Sequence, residues 1–306
     1  MHVLNLVWNP SEGFDLGKIT IRFYSLMFVI AFGLGWYVMK SVYNRENISI
    51  EKLDNLFVYT VLATLIGARL GHVFFYDWEY FKHHPIEILL PIKETPDGWE
   101  FTGFAGLASH GAAIAIIIVM YYYSKKVIQK PLLWILDRIV IPVSLGAIFV
   151  RLGNFFNSEI VGHQTQSTFG IKFIRDFYTP REAVEKTNIQ DVNEAYNAIA
   201  NNPQFIDLLN AVVPKHPAQL YEAFGYVFVF AILFYLYWKT DARNKLGYLF
   251  GIFLVLLWTV RFLVEFVKES QGGFESALGL FSTGQWLSIP FIVAGFYFIF
   301  NAKKTN

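Results

Sequence analysis

Residues 133–162, LWILDRIVIPVSLGAIFVRLGNFFNSEIVG, decide the fold, because an apolar run long enough to cross a bilayer ends on a cluster of polar groups. That cluster is Arg151, Asn154, Asn157 and Glu159. A spanning helix needs about 20 mainly apolar residues to cross roughly 30 Å of hydrocarbon, and 133–154 meets the requirement. Six further stretches share its character, near 20–40, 54–76, 103–124, 217–238, 246–267 and 283–301. The expected fold is an all-α polytopic membrane protein of about seven transmembrane helices. Between the fourth and fifth helices, 157–215 turns polar, with Pro180 as a turn signal and a break at Asn201-Asn202-Pro203. It is expected to form a small extracytoplasmic head of short helices.

Composition agrees with a lipid environment. Hydrophobic residues make up 55% of the 306, while charged residues contribute 16%, against about a quarter in soluble domains. A net charge of +1 gives no basic field for nucleic acid. Cysteine is absent, which excludes disulfides, thiolate metal sites and an internal thiol nucleophile, so any sulfur chemistry must use a partner's thiol. The stretch Met1–Thr20 lacks the basic start and short apolar run of a cleaved signal, so the first helix is expected to stay in place.

Lys40, Arg45 and Lys52 follow the first helix, Lys125, Lys126 and Lys130 the third, Lys239, Arg243 and Lys245 the fifth, and Lys303 and Lys304 the seventh. Short loops rich in Lys and Arg stay inside. The N-terminus is therefore expected outside and the C-terminus in the cytoplasm. With that topology, the embedded polar residues gather toward one outer-leaflet layer: Tyr24, Arg69, His72, His110, Arg151, Asn154, His216, Gln219, Glu222, Arg261 and Glu265. Arg151 and Asn154 are spaced i,i+3, His216, Gln219 and Glu222 are successive i,i+3 steps, and Arg261 and Glu265 are i,i+4, so each set is expected on one helix face.

An intramembrane arginine costs about 2.5–3.5 kcal/mol even on the lenient insertion scale. One alone reads as readily as a snorkelling side chain or helix glue. Three at one level, with histidines, point instead to a wet or anion-filled cavity. The arginine fork suits bidentate phosphate recognition, so a phospholipid headgroup is the natural ligand. The histidines lack metal-site spacing, and neither a Ser-His-Asp pattern nor a GxSxG elbow stands out; no metal and no cofactor is expected. Asp137-Arg138 reads as an interfacial pair, and Gly33, Gly35, Gly67 and Gly71 as points of close helix packing.

The motifs carry a resemblance. Arg151-Leu-Gly-Asn154-Phe-Phe-Asn157-Ser-Glu159-Ile-Val-Gly162 resembles the signature of the bacterial prolipoprotein diacylglyceryl transferases. Ser109-His110-Gly111, His216-Pro-Ala-Gln219-Leu-Tyr-Glu222, Arg261-Phe-Leu-Val-Glu265-Phe, Phe23-Tyr24-Ser-Leu-Met and Gly67-Ala-Arg69-Leu-Gly71 are similar to further motifs of that family. The chain departs from it at Leu257, where a tyrosine is usual, and at Ala112-Ala113, which replace a glycine-rich run.

The resemblance implies transfer of the diacylglyceryl group of phosphatidylglycerol to the lipobox cysteine of a preprolipoprotein signal peptide, at the bacterial cytoplasmic (inner) membrane near its outer leaflet. It implies catalytic roles for His110, Arg151 and Arg261, the arginines gripping the phosphodiester. His110 is the first candidate for thiol base and His216 the second. Tyr24, Arg69, Asn154, Asn157, Glu159, Gly162, His216, Gln219, Glu222 and Glu265 are expected to bind substrate or hold the arginines. Two other readings use the same residues: a non-enzymatic phospholipid-binding or translocating protein, and a metal-dependent phosphotransferase. The first would favour paired repeats with broken helices, and the second an aspartate cluster; the sequence contains neither.

Overall fold

The computed structural model describes residues 6–15, 20–90, 92–95, 98–101, 106–269 and 279–304. Among them run seven apolar helices: α1 (Phe23–Arg45), α2 (Ile50–Phe75), α3 (Ser109–Tyr122), α4 (Leu132–Phe156), α5 (Ala218–Lys239), α6 (Tyr248–Val264) and α7 (Thr283–Phe300). A π-helical turn, Tyr123–Ile128, continues α3. Six of these segments are long and apolar enough to cross a membrane, and α6, with 17 residues, is the shorter seventh. Strands occur only as two-stranded pairs among the described residues, so the fold is all-α and polytopic. The expected start of the third helix at 103 lies outside the described residues; Gly106–Ala108 are not helical.

The chain divides into two compact units, 39–136 and the remainder. In the first, α2 and α3 meet backbone to backbone. A Cβ on Gly67 would come 2.7 Å from the Gly111 carbonyl, and one on Gly71 2.6 Å from the Gly111 Cα. Small residues there bring the helices close, as lipid-embedded packing favours. Gly33, by contrast, faces open space among the described residues, so close packing does not account for it. At the basic end, the Tyr123 hydroxyl donates to the Lys52 carbonyl at 2.8 Å and accepts from buried Tyr43 at 2.9 Å.

The second unit holds α5 to α7, most of α1 and α4, and the polar head. Helix α7 begins at a capping box, with Ser282 accepting from the Gln285 amide and Gln285 reaching back to the Ser282 amide. The head contains the helices Pro180–Thr187, Val192–Asn201 and Ile206–Ala211. Thr179 and Asp191 cap the first two, and Asn202 ends the second before Pro203. Ile174, Tyr178, Ala183, Ala195, Tyr196, Ile199 and Val212 form its own buried core. One partner comes from far away in sequence: strand Leu6–Trp8 pairs in parallel with Ile171–Phe173, and the Trp8 indole donates to the Phe155 carbonyl at the end of α4, at 2.9 Å.

Lys215 closes the head, 2.8 Å from Asp176 and 2.9 Å from Glu269. Burial pushes the Lys215 ammonium down, but these carboxylates outweigh it and hold its pKa above the ordinary lysine value. A raised folded pKa means that the pairs stabilise fully below the unfolded lysine pKa and lose that contribution as pH rises through the folded one. The stability gap between wild type and Lys215→Met is therefore expected to close in strongly alkaline buffer. Thermal unfolding in detergent across that range checks it; a gap that persists unchanged contradicts it.

Candidate active site

The end of α4 projects Arg151 and Asn154 from one face, one turn apart. Arg151 forms an ion pair with Glu222 of α5, whose side chain is 1% exposed. Its guanidinium also donates to the Asn154 Oδ1 at 3.1 Å, and the Asn154 amide donates to the Glu159 Oε1 at 2.7 Å. Asn157 reaches the same carboxylate oxygen at 3.5 Å. Gln219 of α5 donates to the Glu159 carbonyl at 2.6 Å. A continuous polar chain thus runs from Glu222 through Arg151 and Asn154 to Glu159.

Backbone conformation holds Glu159 there. Ser158 and Ile160 on either side both have positive φ, 55° and 60°. For a β-branched residue such as Ile160 this is a strained state, kept only where the surroundings over-determine it. Tyr24 of α1 packs over Gly153, where a Cβ would come 3.0 Å from its ring, and lies within electrostatic reach of Arg151 and Glu159. Three buried polar atoms of this group, the Arg261 Nε, Glu222 Oε1 and Gln219 Oε1, have no hydrogen-bond partner among the described residues. Buried polar groups are usually hydrogen-bonded; here the Arg261 Nε–H is a donor suited to an anion, and the Glu222 and Gln219 oxygens are acceptors suited to hydroxyl groups.

Gly162 sits in a three-layered seam rather than at the polar chain. Its amide donates to the His216 carbonyl at 2.8 Å, and the His163 amide to the Val267 carbonyl at 2.7 Å. A Cβ on Gly162 would stand 2.4 Å from the Val267 oxygen and 2.7 Å from the His216 Cβ. Gly162→Ala is therefore expected to force backbone apart and to destabilise by about 1–3 kcal/mol, the usual cost of overpacking. Thermal unfolding in detergent measures this; an unchanged midpoint refutes the close fit.

His216 does not share the helix face expected from its spacing. Helix α5 starts at Ala218, after a non-helical Pro217, and the residue before a proline is pushed out of the α region. The backbone of His216 instead joins the seam, and its Nδ1 lies 3.1 Å from the Tyr221 hydroxyl. Glu265 is also committed elsewhere than to Arg261. Its two oxygens meet the Lys268 ammonium at 2.7 Å and the Ser282 hydroxyl at 2.9 Å, which ties α6 to α7. Arg261 instead lies over the Trp258 ring, 5.4 Å from its centroid, and Trp258 stacks on Phe291 of α7.

In the other unit, buried Arg69 donates to the carbonyls of Ile88 at 2.9 Å and Glu87 at 2.5 Å and lies over Phe81. It fastens the short helix Ile86–Leu89. The His110 Nε2 is 2.7 Å from the Tyr76 hydroxyl, and His72 stacks on the same tyrosine.

Sequence reasoning missed Tyr226 and Tyr76. Tyr226 is 3% exposed and within electrostatic reach of both Arg151 and Arg261. It extends the Gln219–Glu222 stripe by one turn, a signal hidden among the aromatics of an apolar helix. Trp8 was equally invisible, since its partner Phe155 lies far along the chain, whereas the Lys268–Glu265 pair is an i,i+3 spacing that the sequence offered.

The helices and this polar cluster define a multi-pass membrane protein with a charged site set among apolar helices. Residues 12–301 match the family described as prolipoprotein diacylglyceryl transferase. The chain is 37% identical over 300 residues to the phosphatidylglycerol–prolipoprotein diacylglyceryl transferase of Bacteroides fragilis, covering 97% of this chain and 95% of that one. It is 37% identical to the protein of the same name from Chloroherpeton thalassium, over 98% and 95% of the two chains. The Tolumonas auensis protein is 35% identical, over 98% of each. The chain belongs to the prolipoprotein diacylglyceryl transferase family and is a transferase.

Proposed function

We propose that this chain transfers the diacylglyceryl group of phosphatidylglycerol to the lipobox cysteine of a prolipoprotein, with Arg151 and Arg261 holding the phosphodiester. The cysteine sulfur forms a bond to the glyceryl carbon as the carbon–oxygen bond to phosphate breaks, giving a thioether and releasing glycerol 1-phosphate. Negative charge grows on the departing phosphate, where fixed guanidinium groups stabilise the transition state most. Glu222 and Asn154 hold Arg151, and Glu159 anchors Asn154 in turn.

Only the thiolate attacks well, and a free thiol has a pKa of about 8.5. His110 is the proposed acceptor of the thiol proton, with Tyr76 fixing its ring. The observation that carries the reading is the polar chain from Glu222 through Arg151 to Glu159, with the Arg261 Nε–H, a buried donor, near it. For topology we infer an extracytoplasmic N-terminus and head and a cytoplasmic C-terminus in the bacterial inner membrane. The pairing of Leu6–Trp8 with Ile171–Phe173 requires both segments on one side of the membrane, which the four crossings of α1 to α4 allow, and the Lys/Arg-rich loops on the other side favour the cytoplasm there.

Radiolabelled phosphatidylglycerol, a lipobox peptide and its Cys→Ser counterpart test the assignment. Label on the cysteine peptide alone, formed equally in EDTA, supports it. Label that stays in lipid would favour a carrier, and loss of activity in EDTA a metal-dependent enzyme.

A further inference from the structure

Asp137, fully buried near the start of α4, lies within electrostatic reach of Arg138 and also accepts hydrogen bonds from a second helix. Its Oδ2 accepts from the Gly247 amide at 2.7 Å and its Oδ1 from the Phe250 amide at 2.9 Å. These amides open α6. Gly247, at φ 83°, is the N-cap of α6 and provides no side chain, so donors at that helix start would otherwise be orphaned in an apolar setting. Asp137 thus does the capping of α6 from another helix, in place of the side chain that Gly247 lacks. Arg138 adds a second tie, donating to the Arg243 carbonyl at 3.2 Å.

The two helices joined here carry the two arginines of the site. Arg151 lies fourteen residues beyond Asp137, and Arg261 fourteen residues beyond Gly247. At 1.5 Å per residue each arginine stands about 21 Å along its helix from the clamp. Both helices leave the clamp toward the site, and Tyr226 lies within electrostatic reach of both guanidinium groups. We propose that Asp137 is a positioning residue for the transfer: by capping α6 from α4 it sets the helices in register, so that Arg151 and Arg261 meet the phosphate at one level. This rests on the reading of those arginines as the phosphate-holding pair.

The test is steady-state kinetics of the purified full-length protein with phosphatidylglycerol and a lipobox peptide. Asp137→Ala is expected to lower kcat about ten- to a hundredfold with KM for the lipid within about threefold, the pattern of a lost transition-state interaction. Asp137→Asn keeps one carbonyl acceptor and is expected to recover most of the rate. In an Arg261→Lys background the added Asp137→Ala should cost no more than about twofold, because both changes then remove one coupled arrangement. A kcat within twofold of wild type, a loss confined to KM, or a loss that adds in full to that of Arg261→Lys overturns the proposal. If Asp137→Ala does not fold, Asp137→Thr, whose short side chain cannot accept from both backbone amides, carries the same arms. Full activity in Arg151→Ala and Arg261→Ala would instead defeat the parent reading, and this one with it.

Discussion

Arg151→Ala is expected to lower thioether formation by about 10²–10³-fold, the usual loss when one preorganised donor to developing charge is removed. Arg151→Lys should recover little of it, since an ammonium cannot reproduce the planar fork that grips two phosphate oxygens. The substitution also leaves Glu222, 1% exposed, without its cation. Breaking one side of a buried pair costs about 3–5 kcal/mol, whereas replacing both with apolar residues is often neutral. Arg151→Leu combined with Glu222→Leu should therefore restore much of the stability and none of the activity. Label transfer from phosphatidylglycerol to a lipobox peptide, alongside thermal unfolding, separates the two effects. A single variant that keeps the wild-type rate removes Arg151 from the chemistry.

His110→Gln is expected to cut the rate at pH 7 by about 10²–10⁴-fold, the typical contribution of a general base. The deficit should shrink as pH approaches the thiol value of about 8.5, because solvent then supplies the thiolate that His110 otherwise produces. The rate ratio of wild type to variant between pH 6 and 9 is the measurement. A ratio that stays flat across that range contradicts the base role and leaves His110 as a binding or packing residue.

Much of this molecule is legible from its residues. The seven apolar segments follow from length and hydropathy alone, since lipid forces the backbone into closed helices. The Arg151-to-Glu159 cluster stands out because charge in an apolar run is expensive. Spacing cannot choose among alternative partners, however. Glu265 shares a face with Arg261, yet it faces Lys268 and Ser282, the latter brought in by the start of α7. Arg69 resembles a ligand-gripping cation, and two of its donors go to the Ile88 and Glu87 carbonyls. Asp137 next to Arg138 suggests a local pair, but its carboxylate also accepts from two backbone amides more than a hundred residues away. In each case at least one partner, Ser282, the Ile88 and Glu87 carbonyls, or the Gly247 and Phe250 amides, arrives by tertiary folding.

The strand at Leu6–Trp8 also constrains how the protein is made. Its hydrogen-bonding partner near Lys172 leaves the ribosome some 165 residues later. At about 5–20 residues per second the leading segment waits on the order of ten seconds or more, through four insertion events, before it can lock. Completion of the strand pair beside the end of α4 is accordingly a late event in biogenesis, and Arg151 meets its partner Glu222 later still, after the head has emerged.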